Sequence, residues 1–392
     1  ANARFATGPD AFVTCSGKGM DRRRARDLAL GEAVERYASL TWPAPGARRA
    51  RRADLPGPSL DPTELVLFAD HQYDALPFAR YTEDSELEWV TARSLLSGDT
   101  VWVPRLAAHL GHEVSQRAGY LFPATSNGFA AGPTLAHAVE AGLLEVIERD
   151  AFLIAWAHRL STPRLDARTV PDATAAQVAG LYHRRGVEIE VHLLPTDCAA
   201  SVAIALGWSE GLPAVVVGLG AALDPVTAAR KAVLEVAQVR PALHLRLQRG
   251  QVRERMAQLV KDPATVTELE DHDLLYADPA AAASGLSFWR EGELLTWSEA
   301  VGDRAPTDLA GLVGSLAAVS PDVLYVDVTT DDIAALGVRV ARGIIAGFQP
   351  IHFGADQFRL GHPRLRTMPH RLGLRPRPAE LDELNLAPHP VA

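Results

Sequence analysis

A chain of 392 residues, 47% apolar and 22% charged, carries enough material for a full core, as one large domain or two to three closely packed ones. A net charge of −9 speaks against a phosphate-backbone binder, so no nucleic-acid partner is expected. Two cysteines, Cys15 and Cys198, without CxxC spacing do not indicate a disulfide scaffold or a cysteine zinc site. No apolar run is long enough to span a membrane, and the simplest expectation is a cytoplasmic protein.

In chain order, residues 23–40 have helical periodicity, with Leu28, Val34 and several alanines as the apolar stripe and Pro43 as the stop. Residues 43–60, rich in Pro, Gly and Arg (Arg48, Arg49, Arg51, Arg52), read as a loop. Residues 86–104 read as a strand pair around Ser97-Gly98-Asp99. A long helix is expected over 134–158, with Pro133 at its start. Strands follow at 188–194, 201–207 and 213–219. Asp224 then caps a helix that starts at Pro225 and runs to about Leu247. Residues 262–296 are mixed helix and loop. A helix over 305–317 and strands at 323–328 and 338–345 come next, and the chain is irregular from about 348 onward. This order defines a mixed α/β protein rather than a repeated βα unit.

Three helices carry one motif. GEAVERYA (31–38), LLEVIERDA (143–151) and VLEVAQVR (233–240) place Glu32 and Glu35, Glu145 and Glu148, and Glu235 and Gln238 three residues apart, on one helix face. Arg36 and Arg149 follow the second Glu in the first two copies. One such pair is ordinarily an exposed Glu–Arg surface pair. Three copies, too far apart for a solenoid, point to one binding device used around a common centre. Paired carboxylates repel unless a cation offsets them. A hard divalent ion such as Mg²⁺ does so and is usually shared with phosphate oxygens, which the adjacent arginines suit.

Two glycine-bearing segments add to this. SGKG (16–19) is not a P-loop, but Lys18, one of three lysines in the chain, sits between glycines that allow a close ligand approach. TSNGFAAG (125–132) offers Ser126 and Asn127 just before the second helix. Histidines at 71, 137, 158, 192, 352 and 389 make no zinc spacing, and no GxSxG, Rossmann or kinase set is present.

Together these segments resemble the YcaO family, from about Gly17 to the C-terminus. The most specific stretch is SNGFAAGPTLAHAVEAGLLEVIERDA (126–151). SGKG, GEAVERY, VLEVAQVR, YVDVTT (325–330) and LGVRVARGIIAGFQPIHFG (336–354) occur in the family's order. The resemblance implies an α/β fold with related halves around an ATP/Mg²⁺ site. It implies Glu32, Glu35, Glu145, Glu148 and Glu235 as metal ligands. Lys18, Arg36, Ser126, Asn127, Arg149, Gln238 and Arg240 become the nucleotide contacts. Residues 1–347 would form the ATP-binding catalytic domain, and 348–392 an irregular segment ending near the active site.

The implied activity is ATP-dependent cyclodehydration of Cys, Ser or Thr in a ribosomally made precursor peptide to an azoline, through phosphorylation of the backbone amide oxygen. Thioamide or amidine formation, or a non-catalytic peptide-binding scaffold, are the alternatives. Azoline-forming members commonly end in a PxPxP-like tail. Pro388-His389-Pro390-Val391-Ala392 matches two of those prolines, with Ala392 in place of the last. His389, Pro388, Pro390 and the Ala392 carboxylate are therefore the catalytic candidates. The first 16 residues are too few for a leader-recognition domain. A separate leader-binding partner, ThiF-like or similar, is expected, together with a homodimer.

Overall fold

The computed structural model describes residues 2–6, 12–17, 21–112, 119–301 and 307–392. Lys18 lies outside the described residues. The strands in chain order are β1 (Asn2–Ala6), β2 (Phe12–Ser16), β3 (Arg48–Arg51), β4 (Glu86–Ser94), β5 (Thr100–Pro104), β6 (Phe129–Gly132), β7 (Arg164–Asp166), β8 (Val187–Leu194), β9 (Ser201–Ser209), β10 (Val215–Ala222), β11 (Leu294–Leu295), β12 (Val323–Asp327) and β13 (Arg339–Ile345). The chain divides into two compact units. The first comprises Ala1–Arg149, Leu309–Ile351 and Arg359–Leu365, and the second comprises Asp150–Asp308, His352–Phe358 and Arg366–Ala392.

The first unit holds the β1–β2 hairpin and a sheet of order β3-β4-β12-β13-β6, with β5 added to β4. Its pairs are antiparallel. Alternation along β4 and β5 turns Trp89, Val101 and Val103 into an apolar core with Phe129, Leu324 and Val340. The second unit has the order β10-β9-β8-β7-β11, antiparallel except for β11 on β7. Every residue of β10 is buried, as its unbroken apolar run requires.

Three long helices span Arg22–Thr41, Leu135–Ala157 and Pro225–Arg246, each close to its expected range. Pro133 lies just outside the second, where Thr134 Oγ1 accepts the His137 N–H as the cap. The buried face of the first helix differs from the expected stripe. Ala25, Ala29 and Ala38 are inside, while Leu28 is 45% exposed. Small residues are needed there because the chain after β2 runs against the helix backbone. A Cβ on Gly17 would stand 1.9 Å from the Ala25 carbonyl oxygen.

Two segments read as irregular are ordered. Arg48–Arg51 is an edge strand of the first sheet, and its arginines guard that edge against further pairing. Arg364–Arg371 is a helix whose apolar signal reduces to Leu365 and Met368, both buried. The expected 305–317 helix is observed over Leu309–Leu316.

Candidate active site

The repeated motif is a repeated piece of structure. Each copy opens on a capping side chain: Asp21 accepts from Arg24 N, Thr134 from His137 N, and Asp224 from Thr227 N. Glu32, Glu145 and Glu235 each stand eleven residues after their cap. Each also accepts a backbone N–H from the strand or turn before its helix. Ser16 N donates to Glu32 Oε2 at 2.9 Å and Leu219 N to Glu235 Oε2 at 3.2 Å, both across sixteen residues, while Gly128 N donates to Glu145. Between the first and third copies the match extends to Gly17 and Gly220. A Cβ on Gly220 would meet the Ala228 oxygen and the Ala232 nitrogen, as one on Gly17 would meet Ala25 and Ala29. The spacing seen in the sequence thus reflects one strand–glycine–cap–glutamate device, built in both units.

In the first unit, Glu35 and Glu145 come within electrostatic reach of each other. Burial, then the Glu145 charge, holds Glu35 well above the ordinary carboxylate range, and Arg36 and Arg342 only partly offset this. Burial also raises Glu145, against the pull of Arg149, Arg36, Arg342 and the Gly128 N–H. Arg36 Nε lies 3.9 Å from Glu35 Oε1, and Arg149 Nη2 lies 3.5 Å from Glu148 Oε1. Like charges held together beside guanidiniums suit a divalent cation and phosphate groups: the carboxylates would hold the ion and the arginines the phosphates. Among the described residues, no three His, Cys, Asp or Glu side chains form a metal-holding group by themselves.

The 125–127 segment closes one side of this site. Arg342 Nη1 donates to the Thr125 carbonyl at 3.0 Å, tying the segment to β13, and Ser126 O accepts the Phe129 N–H. Asn127 is 5% exposed, and its Oδ1 has no partner. Arg342 was not among the sequence candidates. Its signal was an arginine inside the otherwise apolar run VARGII, residues 340–345 of β13.

The second unit carries Glu235, Gln238 and Arg240 on the third helix. Arg240 donates to Ser209 Oγ at 2.6 Å and to the Gly207 carbonyl at 3.4 Å, so its guanidinium serves β9. The tail is ordered. Tyr276 Oη donates to the Pro388 carbonyl and His272 Nδ1 to the His389 carbonyl, each at 2.7 Å. His389 is fully enclosed, 4.2 Å between centroids from the His272 ring, with its Nε2 donating to the His352 carbonyl at 2.8 Å. The catalytic candidate His389 is thus an enclosed ring with both nitrogens engaged, Nδ1 accepting from Val391 N, and with Phe152 and His352 packed edge-on against it. Pro388, Pro390 and Val391 are buried, and Ala392 is the exposed end.

His272 accepts the Gly354 N–H at Nε2 while donating at Nδ1, which fixes the neutral ring, and burial lowers its pKa to about 4. Unfolded histidine binds a proton at higher pH, so this contribution is complete above the ordinary histidine value and is lost as pH falls toward 4. Asp273, raised by burial to about 6, works in the opposite direction over an overlapping range. A difference measurement isolates the histidine. Between pH 7 and 4.5, the urea stability of His272→Asn should fall by about 2 kcal/mol less than that of the native chain. Parallel pH profiles would refute this.

The sequence matches the family described as YcaO cyclodehydratase, ATP- and Mg²⁺-binding, over residues 16–349. An uncharacterized protein of Methanothermobacter thermautotrophicus is 30% identical, over 92% of this chain and 88% of its own. Among solved structures, a heterocyclase in complex with substrate and cofactor superposes with a TM-score of 0.75 at 23% identity, covering 99% of this chain and 52% of that one. The YcaO from Methanopyrus kandleri, bound with AMPPCP and Mg²⁺, gives 0.65 at 23% identity, covering 92% and 88%. The chain thus spans about half the length of that heterocyclase. It belongs to the YcaO family of ATP- and Mg²⁺-binding cyclodehydratases. The expectations of a mixed α/β fold with duplicated architecture and of ATP with Mg²⁺ hold.

Proposed function

We propose that this chain is an ATP-dependent peptide cyclodehydratase that converts Cys, Ser or Thr of a precursor peptide to an azoline. The observation that carries the reading is the buried, mutually repelling Glu35–Glu145 pair within the electrostatic reach of Arg36 and Arg342, with Arg36 Nε 3.9 Å from Glu35 Oε1. In this reading Glu32, Glu35, Glu145, Glu148 and Glu235 hold Mg²⁺. Lys18, Arg36, Ser126, Asn127, Arg149 and Gln238 bind the nucleotide. The bound cation would neutralise phosphate charge and polarise the transferred group.

The chain's own work is to orient and to stabilise charge. The substrate's thiol or hydroxyl attacks the preceding carbonyl carbon and closes the five-membered ring, its proton is released to solvent, and the carbonyl oxygen becomes an oxyanion. Arg36 and Arg149 would hold the phosphates and favour transfer of the γ-phosphoryl group to that oxygen. The former amide oxygen then leaves as part of orthophosphate, the amide N–H proton is lost, and a C=N bond forms within the ring that the attack has already closed. Peptide and ATP give azoline, ADP and phosphate. Amide oxygen is a poor leaving group and phosphate a good one, which is why the nucleotide is required.

The tail segment 388–392, anchored through the Pro388 and His389 carbonyls, is the candidate for orienting the substrate. A leader-binding partner protein is part of the proposal. The test is mass spectrometry of a precursor peptide after incubation with ATP, Mg²⁺, this chain and its partner. Loss of one water per modified residue, with fragmentation placing it at Cys, Ser or Thr, is the expected result. Exchange of oxygen for sulfur would assign thioamide formation instead. Ring closure through the N-terminal amine would assign an amidine. Unchanged peptide without nucleotide turnover would leave a scaffold.

A further inference from the structure

Arg359 is 4% exposed and lies in the core of the first unit, stacked 4.3 Å from the Phe122 ring centroid. Its terminal nitrogens make only long bonds to carbonyls, Nη1 to Leu65 at 3.4 Å and Nη2 to Pro123 at 3.2 Å, and its Nε has no partner. The charges it feels are Arg342 and Tyr73, and no carboxylate is among them. Burial and the Arg342 charge lower its pKa to about 9, and burial lowers Arg342 to about 10, so both guanidiniums are charged at neutral pH. A buried cation beside another cation, without a counter-ion, is among the costliest arrangements in a protein interior. Among the described residues, the Phe122 stack and the two carbonyl bonds offset only part of that cost.

Arg359 faces a cavity of about 60 Å³ whose wall includes Phe122, Thr125, Asn127, Val146 and Arg342. Two more orphaned atoms belong to this wall, Arg342 Nε and Asn127 Oδ1. The volume corresponds to about four or five water-sized positions, the footprint of a tetrahedral oxyanion and far too little for a nucleoside. Glu64 also lines the cavity; its carboxylate oxygen lies 3.5 Å from His362 Nε2. Arg342 is shared. It feels Glu35 and Glu145, and Arg359 feels Arg342.

We propose that Arg359, Arg342 and the Asn127 side chain form a second anion subsite that takes free hydrogen phosphate, distinct from the phosphates of the nucleotide. Guanidinium N–H groups supply donors for the anion's oxygens. The single O–H of hydrogen phosphate supplies the donor that Asn127 Oδ1 lacks, which sulfate cannot. The choice of phosphate as occupant rests on the proposed function, in which amide activation releases orthophosphate. The subsite would then hold that product as it leaves the reacting centre.

The test is calorimetric titration of inorganic phosphate into the nucleotide-free chain, repeated with saturating Mg²⁺–AMPPCP. Phosphate is expected to bind in both cases, within about threefold, and sulfate at least about tenfold more weakly. Arg359→Gln should weaken phosphate by about tenfold or more while Mg²⁺–AMPPCP affinity stays within about threefold, and Arg359→Lys should recover part of the loss. Absence of phosphate binding to the native chain, or displacement by Mg²⁺–AMPPCP, overturns the subsite, the latter assigning Arg359 to the nucleotide. Equal binding of sulfate overturns the choice of phosphate. Should Arg359→Gln fail to fold, the native-chain competition and sulfate arms decide. Failure of Mg²⁺–AMPPCP to bind the native chain would refute the nucleotide reading and leave the phosphate measurement standing.

Discussion

Replacing Glu145 with Gln is expected to reduce ATP turnover by about a thousandfold while leaving the fold at least as stable as before. The two effects share one cause. Glu145 is raised by burial and itself raises Glu35, so the pair disfavours its own ionised state when the protein is alone. The amide keeps the shape and an acceptor for the Gly128 N–H, removes the repulsion, and cannot neutralise a cation. Turnover with peptide and a thermal melt of the same preparation check both halves. Turnover within tenfold of the native chain would remove Glu145 from the metal set. The pH dependence has a definite sign. A carboxylate whose folded pKa is raised stabilises at low pH, and that contribution disappears as pH rises through the folded value. Mg²⁺–AMPPCP should therefore raise the melting temperature more on the alkaline side.

Deleting residues 388–392 is expected to lower azoline formation by about a hundredfold, with Mg²⁺–AMPPCP affinity unchanged within about threefold. The nucleotide contacts proposed for the first unit are not in the tail, whereas the Pro388 and His389 carbonyls are held by Tyr276 and His272. His389→Phe separates anchoring from proton transfer. It retains a ring for contact with His272 and Phe152 but loses the bond to His352 O. Product formation should stay within about fivefold of native, because the enclosed ring acts by packing. A folded His389→Phe protein as impaired as the deletion would show that the ring's proton is used.

The three acidic helices were legible because their signals are local. A cap, a glutamate eleven residues on and a second polar group three further recur within short windows. What the sequence hid was of two kinds. Leu28 looked like a core residue and is exposed, since the close approach at Gly17 leaves room only for alanines on the buried face. Arg359 and the His272–His389–His352 nest depend on contacts between segments far apart in the chain, in a stretch with neither helical nor strand periodicity. An arginine among prolines and histidines reads as surface until its neighbours are known. The arginines of β3 show the converse. A charged run suggested a loop, yet an edge strand tolerates it because one side of that strand faces no partner.

The backbone N–H bonds to Glu32, Glu145 and Glu235 have a kinetic consequence. Each takes up an acceptor position on a carboxylate and fixes its orientation, so that, as proposed metal ligands, these side chains would bind through single oxygens. Mg²⁺ seeks six oxygens in a tight octahedron and sheds its waters reluctantly, so a few one-point ligands make a poor trap for the bare ion. The same oxygens make a good receptor for an ion already chelated by a triphosphate, which brings its own share of the octahedron. If these glutamates hold the ion as proposed, an order of addition follows: the magnesium–nucleotide chelate would be the species that enters, and excess free magnesium would gain little by arriving first.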